Sequence, residues 1–202
     1  GMFSFTEWGM QGALYQMLSH GVSTGALFLL VGFIYERRHT RQISDFGGLA
    51  NVMPIYATIF VITSMSSVGL PFLNGFVGEF LIMLGMWKSN ALDTVTWLNW
   101  NWNYVATMLA GTGVIFAAVY LLWMIQRVFF GKVTNDKNRS LKDLSWREIG
   151  LIAPLLALMV YMGVYPKPFL DTSEASVKAI QERVVHQAGG TVDHAKEVRP
   201  AF

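Results

Sequence analysis

The sequence predicts an all-α integral membrane protein, and three observations support this fold class. The 202-residue chain is 53% hydrophobic, only 14% of its residues are charged, and its mean hydropathy is +0.40. A soluble domain carries about 25% charged residues, so the shortage of polar surface indicates that lipid is the solvent. The apolar residues also form long runs, and about 20 such residues suffice for one helix across a bilayer.

Four apolar runs predict four transmembrane helices within a membrane domain of residues 1–170. The second run is longer than one straight span needs, so it must tilt strongly or break. Pro71 removes one backbone donor and clashes with the carbonyl four residues back, while Gly69, Gly75 and Gly78 lower the helix propensity around it. The second helix is therefore predicted to break near Pro71. The four predicted spans are about residues 10–35, 53–87, 104–130 and 149–165.

Lys and Arg residues are distributed unevenly among the connections. The connections 36–52 and 127–148 hold nine of them, whereas the connection 88–103 holds one. The positive-inside rule makes the basic face cytoplasmic and leaves both termini on the outer side. Arg37 and its neighbours are interpreted as a solvated loop that sets the topology. Because the basic residues lie in loops and not on one stripe, no nucleic-acid partner is expected.

Residues 171–202 predict a tail on the outer surface with one short amphipathic helix. Val177, Ile180 and Val184 recur at helical spacing, and Thr172 or Ser173 is a suitable N-cap.

Two titratable side chains, His20 and Glu79, lie within predicted spans. A charged group in the hydrocarbon costs at least about 2.5 to 3.5 kcal/mol, so such groups usually serve ion movement or a buried partner. At about 1.5 Å per residue, both lie roughly 12 to 15 Å from the outer ends of their spans. A facing pair could hold or pass one proton. The alternative interpretation is a buried structural carboxylate and a hydrogen-bonded packing histidine.

Polar and helix-breaking residues around this pair predict the lining of a proton path. One stripe on the first span carries polar side chains at spacings of four, seven and eight residues. The broken segment of the second span requires a protein-lined or wet surrounding, as broken membrane helices do at ion sites. The predicted lining consists of Gln16, Ser23, Thr24, Gly69, Pro71, Asn74, Gly75 and Gly78, around His20 and Glu79.

The sequence also excludes several kinds of site. Zero cysteines exclude thiolate-held iron–sulfur clusters, cysteine zinc sites and disulfides in this chain. The sequence contains no glycine-rich phosphate loop after a strand and no metal-binding spacing such as His-Glu-x-x-His. We therefore expect no cofactor, no metal and no catalytic redox site in this chain.

Three motifs carry a resemblance to a known family. They are Gln-Met-Leu-Ser-His-Gly-Val-Ser at 16–23, Tyr-Glu-Arg-Arg-His-Thr-Arg at 35–41 with Gly-Gly-Leu at 47–49, and Asn-Gly-Phe-Val-Gly-Glu-Phe at 74–80. Gln-Arg-Val-Phe-Phe-Gly follows at 126–131. In this order they resemble the C-terminal part of the NuoM family, the antiporter-like chain M of the proton-pumping NADH:quinone oxidoreductase, respiratory complex I.

The resemblance implies the last four helices of an antiporter-like fold of fourteen. Glu79 matches the terminal glutamate on the broken helix, and His20 matches the relay histidine before it. The implied partners are other membrane-arm subunits and the polypeptide that supplies the upstream helices. FMN, iron–sulfur clusters, NADH and quinone would be bound by partner subunits, in an energy-transducing membrane such as the bacterial plasma (inner) membrane.

Two other functions remain open at this point. A subunit of a multisubunit cation/proton antiporter would share nearly every feature, and Na⁺-dependent transport without NADH-linked activity would distinguish it. A structural membrane scaffold would tolerate neutralisation of both His20 and Glu79.

Overall fold

The computed structural model describes residues 1–92 and 100–187, and every regular element within these ranges is helical. The prediction of an all-α chain is confirmed there. Short 3-10 turns occur before α1, between α1 and α2, and between α4 and α5. The six α-helices of the described residues are α1 (Glu7–Arg38), α2 (Pro54–Val68), α3 (Asn74–Trp87), α4 (Trp102–Phe129), α5 (Trp146–Val164) and α6 (Lys167–Gln187).

Three helices, α1, α4 and α5, are each long and apolar enough to cross a membrane. Helices α2 and α3 have 15 and 14 residues. At 1.5 Å per residue each extends only about 21 to 23 Å, less than the roughly 30 Å of a bilayer's hydrocarbon core. Residues 69–73 separate these two helices, so the predicted break around Pro71 is present.

The chain divides into two compact units. The first comprises residues 1–18, 77–111 and 165–202, and the second comprises residues 19–76 and 112–164. The second unit holds a buried apolar cluster, in which the Phe60 and Phe129 rings lie 4.8 Å apart. Tyr56 belongs to this cluster, and its hydroxyl donates to the Leu30 carbonyl at 3.1 Å. That bond satisfies a polar group that would otherwise be buried unpaired.

In the first unit, glycines allow a close approach of α1 to α3. A Cβ added at Gly12 would lie 2.7 Å from the Leu81 Cβ and 2.8 Å from the Ile82 backbone nitrogen. Only a residue without a side chain fits such a contact, which is typical of packed membrane helices. Helix α6 also packs on α1, where the Tyr15 and Phe169 rings meet edge to face at 6.3 Å.

Helix α6 begins earlier than the sequence predicted. It starts at Lys167, so the expectation of an N-cap at Thr172 or Ser173 is wrong. The Pro166 carbonyl accepts the first bonds of the helix, and Pro168 fits the first turn because its missing N–H has no partner to lose. Residues 188–202 of the predicted tail lie outside the described residues, and the boundary at residue 170 stays a prediction.

Candidate functional site

The break between α2 and α3 is formed by backbone geometry that the sequence dictates. Gly69 ends α2 with φ of 85°, a left-handed conformation that glycine adopts without steric cost. The N–H of Leu70 then bonds back to the Met65 carbonyl at 3.0 Å, which closes the end of α2. Pro71 follows, and Phe72 also has a positive φ of 73°. The chain thus leaves the helical path for five residues before α3 begins.

The side chain of Asn74 joins the break to two other segments of the second unit. Asn74 is fully buried, and its Nδ2 donates to the Ser19 carbonyl on α1 at 3.1 Å. Its Oδ1 accepts a hydrogen bond from the Ser66 hydroxyl on α2. The Ser23 hydroxyl donates to the same Ser19 carbonyl at 3.1 Å. One amide therefore holds the first residue of α3 against both α1 and α2.

Two further hydroxyls in this region are buried without a protein partner. Ser19 Oγ and Ser64 Oγ form no hydrogen bond within the part of the chain that the structure describes. An unpaired buried hydroxyl costs about 1 to 3 kcal/mol, and ordered water is the usual partner in such places. The polar cluster, defined as Ser19, Ser23, Ser66 and Asn74, therefore has free capacity to bind water at Ser19, and the Ser64 hydroxyl is a separate buried group on α2.

Glycines bring backbone against backbone at the break. A Cβ at Gly75 would collide with the Ser66 carbonyl oxygen and would lie 3.5 Å from the Gly69 Cα. A Cβ at Gly163 of α5 would lie 2.5 Å from the backbone of Leu73. These contacts pack the end of the break against α2 and α5, whereas Leu70, Pro71 and Phe72 are exposed in this chain.

Glu79 and Gln16 lie in the first unit. Glu79 is half-buried on α3, and within this unit its carboxylate forms no hydrogen bond or ion pair with a described residue. A Cβ at Gly78 would lie 2.9 Å from the Gln16 Cβ, so the residue before Glu79 touches α1 directly. Gln16 Oε1 is buried without a hydrogen-bond partner among the described residues. The Gln16 acceptor and the Glu79 carboxylate therefore both lie next to the contact between Gly78 and α1.

His20 lies in the second unit and is exposed in this chain. Its Nε2 is 3.2 Å from the Thr24 hydroxyl, one helical turn further along α1. The predicted stripe is divided, because Ser23 is buried while Thr24 is half-buried. His20 and Glu79 belong to different units, and the expectation that they face each other stays a prediction.

Sequence reasoning missed three buried hydroxyls: Ser19 and Ser66 of the polar cluster, and Ser64. Ser64 and Ser66 lie close together in sequence. A signal for the last two was available, because residues 63–67 read Thr-Ser-Met-Ser-Ser within an otherwise apolar run. Four hydroxyl residues in five positions of a predicted span are unusual unless they meet partners or water.

The interpretation of Arg37 as a solvated loop residue is wrong. Its guanidinium binds both carboxylate oxygens of Glu148 at 2.6 and 2.7 Å, and the two side chains are only 18% and 13% exposed. Arg37 Nε also donates to the Lys142 carbonyl at 3.0 Å. These hydrogen bonds hold the pKa of Glu148 at about 2. Both groups lie just beyond the apolar stretches of their helices, where the pair links the end of α1 to the start of α5.

Asp143 caps α2 from a distant loop. Its two carboxylate oxygens accept from the backbone nitrogens of Ile55 and Tyr56, at 2.8 and 3.0 Å. A carboxylate at a helix start satisfies free N–H groups and matches the positive end of the helix dipole. The loop 130–145 therefore fixes the start of the helix that leads to the break.

Within the described ranges, the structure contains no group of three or more His, Asp or Glu side chains able to hold a metal ion. Each unit contains a side chain that can exchange a proton with water: the Glu79 carboxylate in the first, and the His20 imidazole in the second, which also holds the polar cluster. These are the groups that move protons between water molecules and protein.

Comparisons with known proteins give a consistent result. Residues 1–100 match the family model described as NADH:quinone oxidoreductase/Mrp antiporter, transmembrane. The chain is 45% identical over 178 residues to NADH-quinone oxidoreductase subunit M of Rickettsia typhi, covering 88% of this chain and 33% of that protein. It is 42% identical over 195 residues to the same subunit of Rhodobacter capsulatus, covering 96% and 35%. The chain thus spans about a third of the length of these relatives.

Two solved structures resemble the fold. A chain of respiratory complex I from Thermus thermophilus, solved with bound NADH, matches with a TM-score of 0.74 and 35% identity, over 88% of this chain and 34% of that one. A chain of the Mrp complex from Dietzia matches with a TM-score of 0.71 over 89% and 39%. Its identity is 18%, so this second likeness shows the fold alone.

Proposed function

Because residues 1–100 match the family model of the NADH:quinone oxidoreductase/Mrp antiporter transmembrane family and the chain resembles the C-terminal part of subunit M, we propose that it carries the outward half of a proton path in a membrane-arm subunit. The path runs through His20 and Glu79. The observation that supports the proposal is the buried polar cluster of the second unit, in which the Ser19 hydroxyl, next to His20 in sequence, has no partner among the described residues.

The membrane arrangement follows from the helix lengths. Helices α2 and α3 together form one broken span, which makes four spans with α1, α4 and α5. The nine basic residues of the connections 36–52 and 127–148 favour the cytoplasmic side for those loops, with both termini on the outer side of a bacterial plasma membrane. Helix α6 then lies on the outer surface, because its first residue comes directly after the last span.

The proposed mechanism assigns each group one role. Redox energy released in partner subunits shifts the charge of upstream groups, which drives a proton from His20 to Glu79. Within the second unit, water held by the polar cluster solvates the proton. Glu79 then releases the proton to the outer side. FMN, iron–sulfur clusters, NADH and quinone are bound by partner subunits, and this chain contributes no redox site of its own.

Glu79→Gln in the assembled complex tests the proposal, because it keeps the shape of the side chain and removes its titration. NADH-driven proton uptake is measured in membrane vesicles, with electron transfer to quinone and complex assembly assayed in parallel. We expect assembly to persist and coupled turnover to fall at least about tenfold, since a positioned proton-transfer group usually contributes a factor of about 10² to 10⁴.

Glu36→Gln is the matched control, because Glu36 is exposed and lies beyond the apolar part of α1. It should leave pumping unchanged. Normal pumping by the Glu79→Gln complex would make the glutamate structural and would leave the scaffold function standing. The description of the matching family model, which includes the Mrp antiporter, keeps the antiporter function as the second candidate, and Na⁺-dependent transport without NADH-linked activity would favour it.

A further inference from the structure

The second unit contains an apolar groove that the proposed proton path does not use. It has a volume of about 230 Å³ and lies between the ends of α1 and α4, the start of α2 and the loop that follows α1. All of its lining side chains are apolar or aromatic except Arg41. The lining includes Val31, Ile34, Ile43, Phe46 and Val128.

Arg41 provides a positive charge at the rim of the groove. Its guanidinium lies 4.7 Å from the centre of the Tyr35 ring and forms no ion pair with any described residue. The carboxylate in the same loop, Asp45, accepts a 2.6 Å hydrogen bond from Thr40. Glu36 is exposed on the last turns of α1. Arg41 is thus an exposed cation beside an apolar cleft, at the end of the chain's most basic face.

We propose that this groove binds one acyl chain of an anionic phospholipid, whose phosphate pairs with Arg41. The apolar walls accept the chain, and the guanidinium is complementary to a phosphate in geometry and charge. Basic pockets between membrane helices on the cytoplasmic side are suited to anionic headgroups, because that leaflet is negatively charged. The inference uses the membrane placement proposed above and is independent of the proton path.

The charge at the rim favours a phospholipid over another apolar helix, because an apolar helix face offers no anion to Arg41. A single aliphatic chain is narrow enough to enter the groove. Arg41 then selects the headgroup, because phosphatidylglycerol carries a net negative charge, whereas the choline of phosphatidylcholine neutralises its phosphate.

The test is photo-crosslinking in the assembled complex, with an aliphatic diazirine residue in place of Ile43. The complex is reconstituted into vesicles of equimolar phosphatidylglycerol and phosphatidylcholine, and the adducts on this chain are identified by mass. We expect lipid adducts with about fivefold preference for phosphatidylglycerol, the factor expected for one basic residue near the surface. Arg41→Gln should abolish the preference, and Arg41→Lys should retain most of it.

Lys137→Gln is the control, because Lys137 is exposed on the same basic face and does not line the groove. It should leave the preference unchanged. Three results would overturn the proposal: adducts with a polypeptide in place of lipid, equal yields of the two phospholipids, or a preference that survives Arg41→Gln. Proton uptake by these variants is measured alongside, so that loss of the lipid preference with normal pumping separates this site from the proposed function.

Discussion

Asn74 should control the stability of the break, and Asn74→Ala tests this. The substitution removes the hydrogen bond to the Ser19 carbonyl and leaves the buried Ser66 hydroxyl without its acceptor. Hydrogen bonds between membrane helices are worth about 0.6 kcal/mol on average and at most about 1.7, so two of them amount to roughly 1 to 3 kcal/mol. That range corresponds to a factor of about 5 to 150 in a local opening equilibrium.

The assay uses the absence of cysteine from this chain. Ser64→Cys places a fully buried thiol beside the break, and its rate of modification by a maleimide reports local opening. In the assembled complex, the labelled chain is read from its shift on a gel. We expect Asn74→Ala to raise the labelling rate within the stated range.

A double-mutant cycle with Ser66→Ala isolates the bond between the two side chains. Ser66→Ala alone should have a smaller effect, because it leaves the Asn74 amide bonded to Ser19. The two changes together should fall short of additivity by about 0.6 kcal/mol, or roughly threefold in rate. Strict additivity, or an unchanged rate in Asn74→Ala, would refute the inference that this amide fixes the break.

Two further substitutions test other contacts of the second unit. Gly75→Ala should cost about 1 to 3 kcal/mol, because its Cβ meets the Ser66 carbonyl, which cannot rotate away, and the same labelling assay would measure it. Gly113→Ala is its control, since no atom lies within 4 Å of a Cβ there, and equal rates in both variants would contradict the argument. Glu148→Gln should lower the stability of the assembled complex by about 1 to 3 kcal/mol, a partly buried pair being worth less than a fully buried one. Because Arg37 lowers the pKa of Glu148 to about 2, the pair stabilises fully above pH 4.5 and loses its effect only as the pH falls through about 2. The thermal midpoint should thus drop equally at pH 5.5 and pH 8, and a loss confined to one pH would be inconsistent with this pairing.

The break was predictable from local chemistry. Pro71 cannot continue a helix and Gly69 readily takes a left-handed end, so the residues themselves mark where α2 stops. The long apolar runs predicted the ends of the helices to within a few residues of the observed bounds. Such features depend on neighbours in sequence, which is the information that a single chain contains.

The partners of the polar residues were not predictable in the same way. Arg37 and Glu148 are 111 positions apart, and nothing in either neighbourhood indicates the other. From the sequence alone, a basic run at the end of a span is interpreted as solvated, because the residue that pairs with it is not known. Likewise, Ser66 finds its hydrogen-bond acceptor only because the break turns Asn74 back towards α2. That contact depends on tertiary geometry.

The cap of α2 has a consequence for biosynthesis. Asp143 lies 88 residues after Ile55, and its carboxylate accepts a hydrogen bond from the backbone N–H of Ile55. During synthesis, α2 therefore leaves the ribosome with its first N–H groups unsatisfied. They stay unsatisfied until the loop that follows α4 has also emerged. A nascent chain whose residue 143 is still inside the ribosome should keep this helix start open to hydrogen exchange, and a longer chain from which residue 143 has emerged should protect it. The length of chain that has left the ribosome therefore decides when the start of α2 is capped.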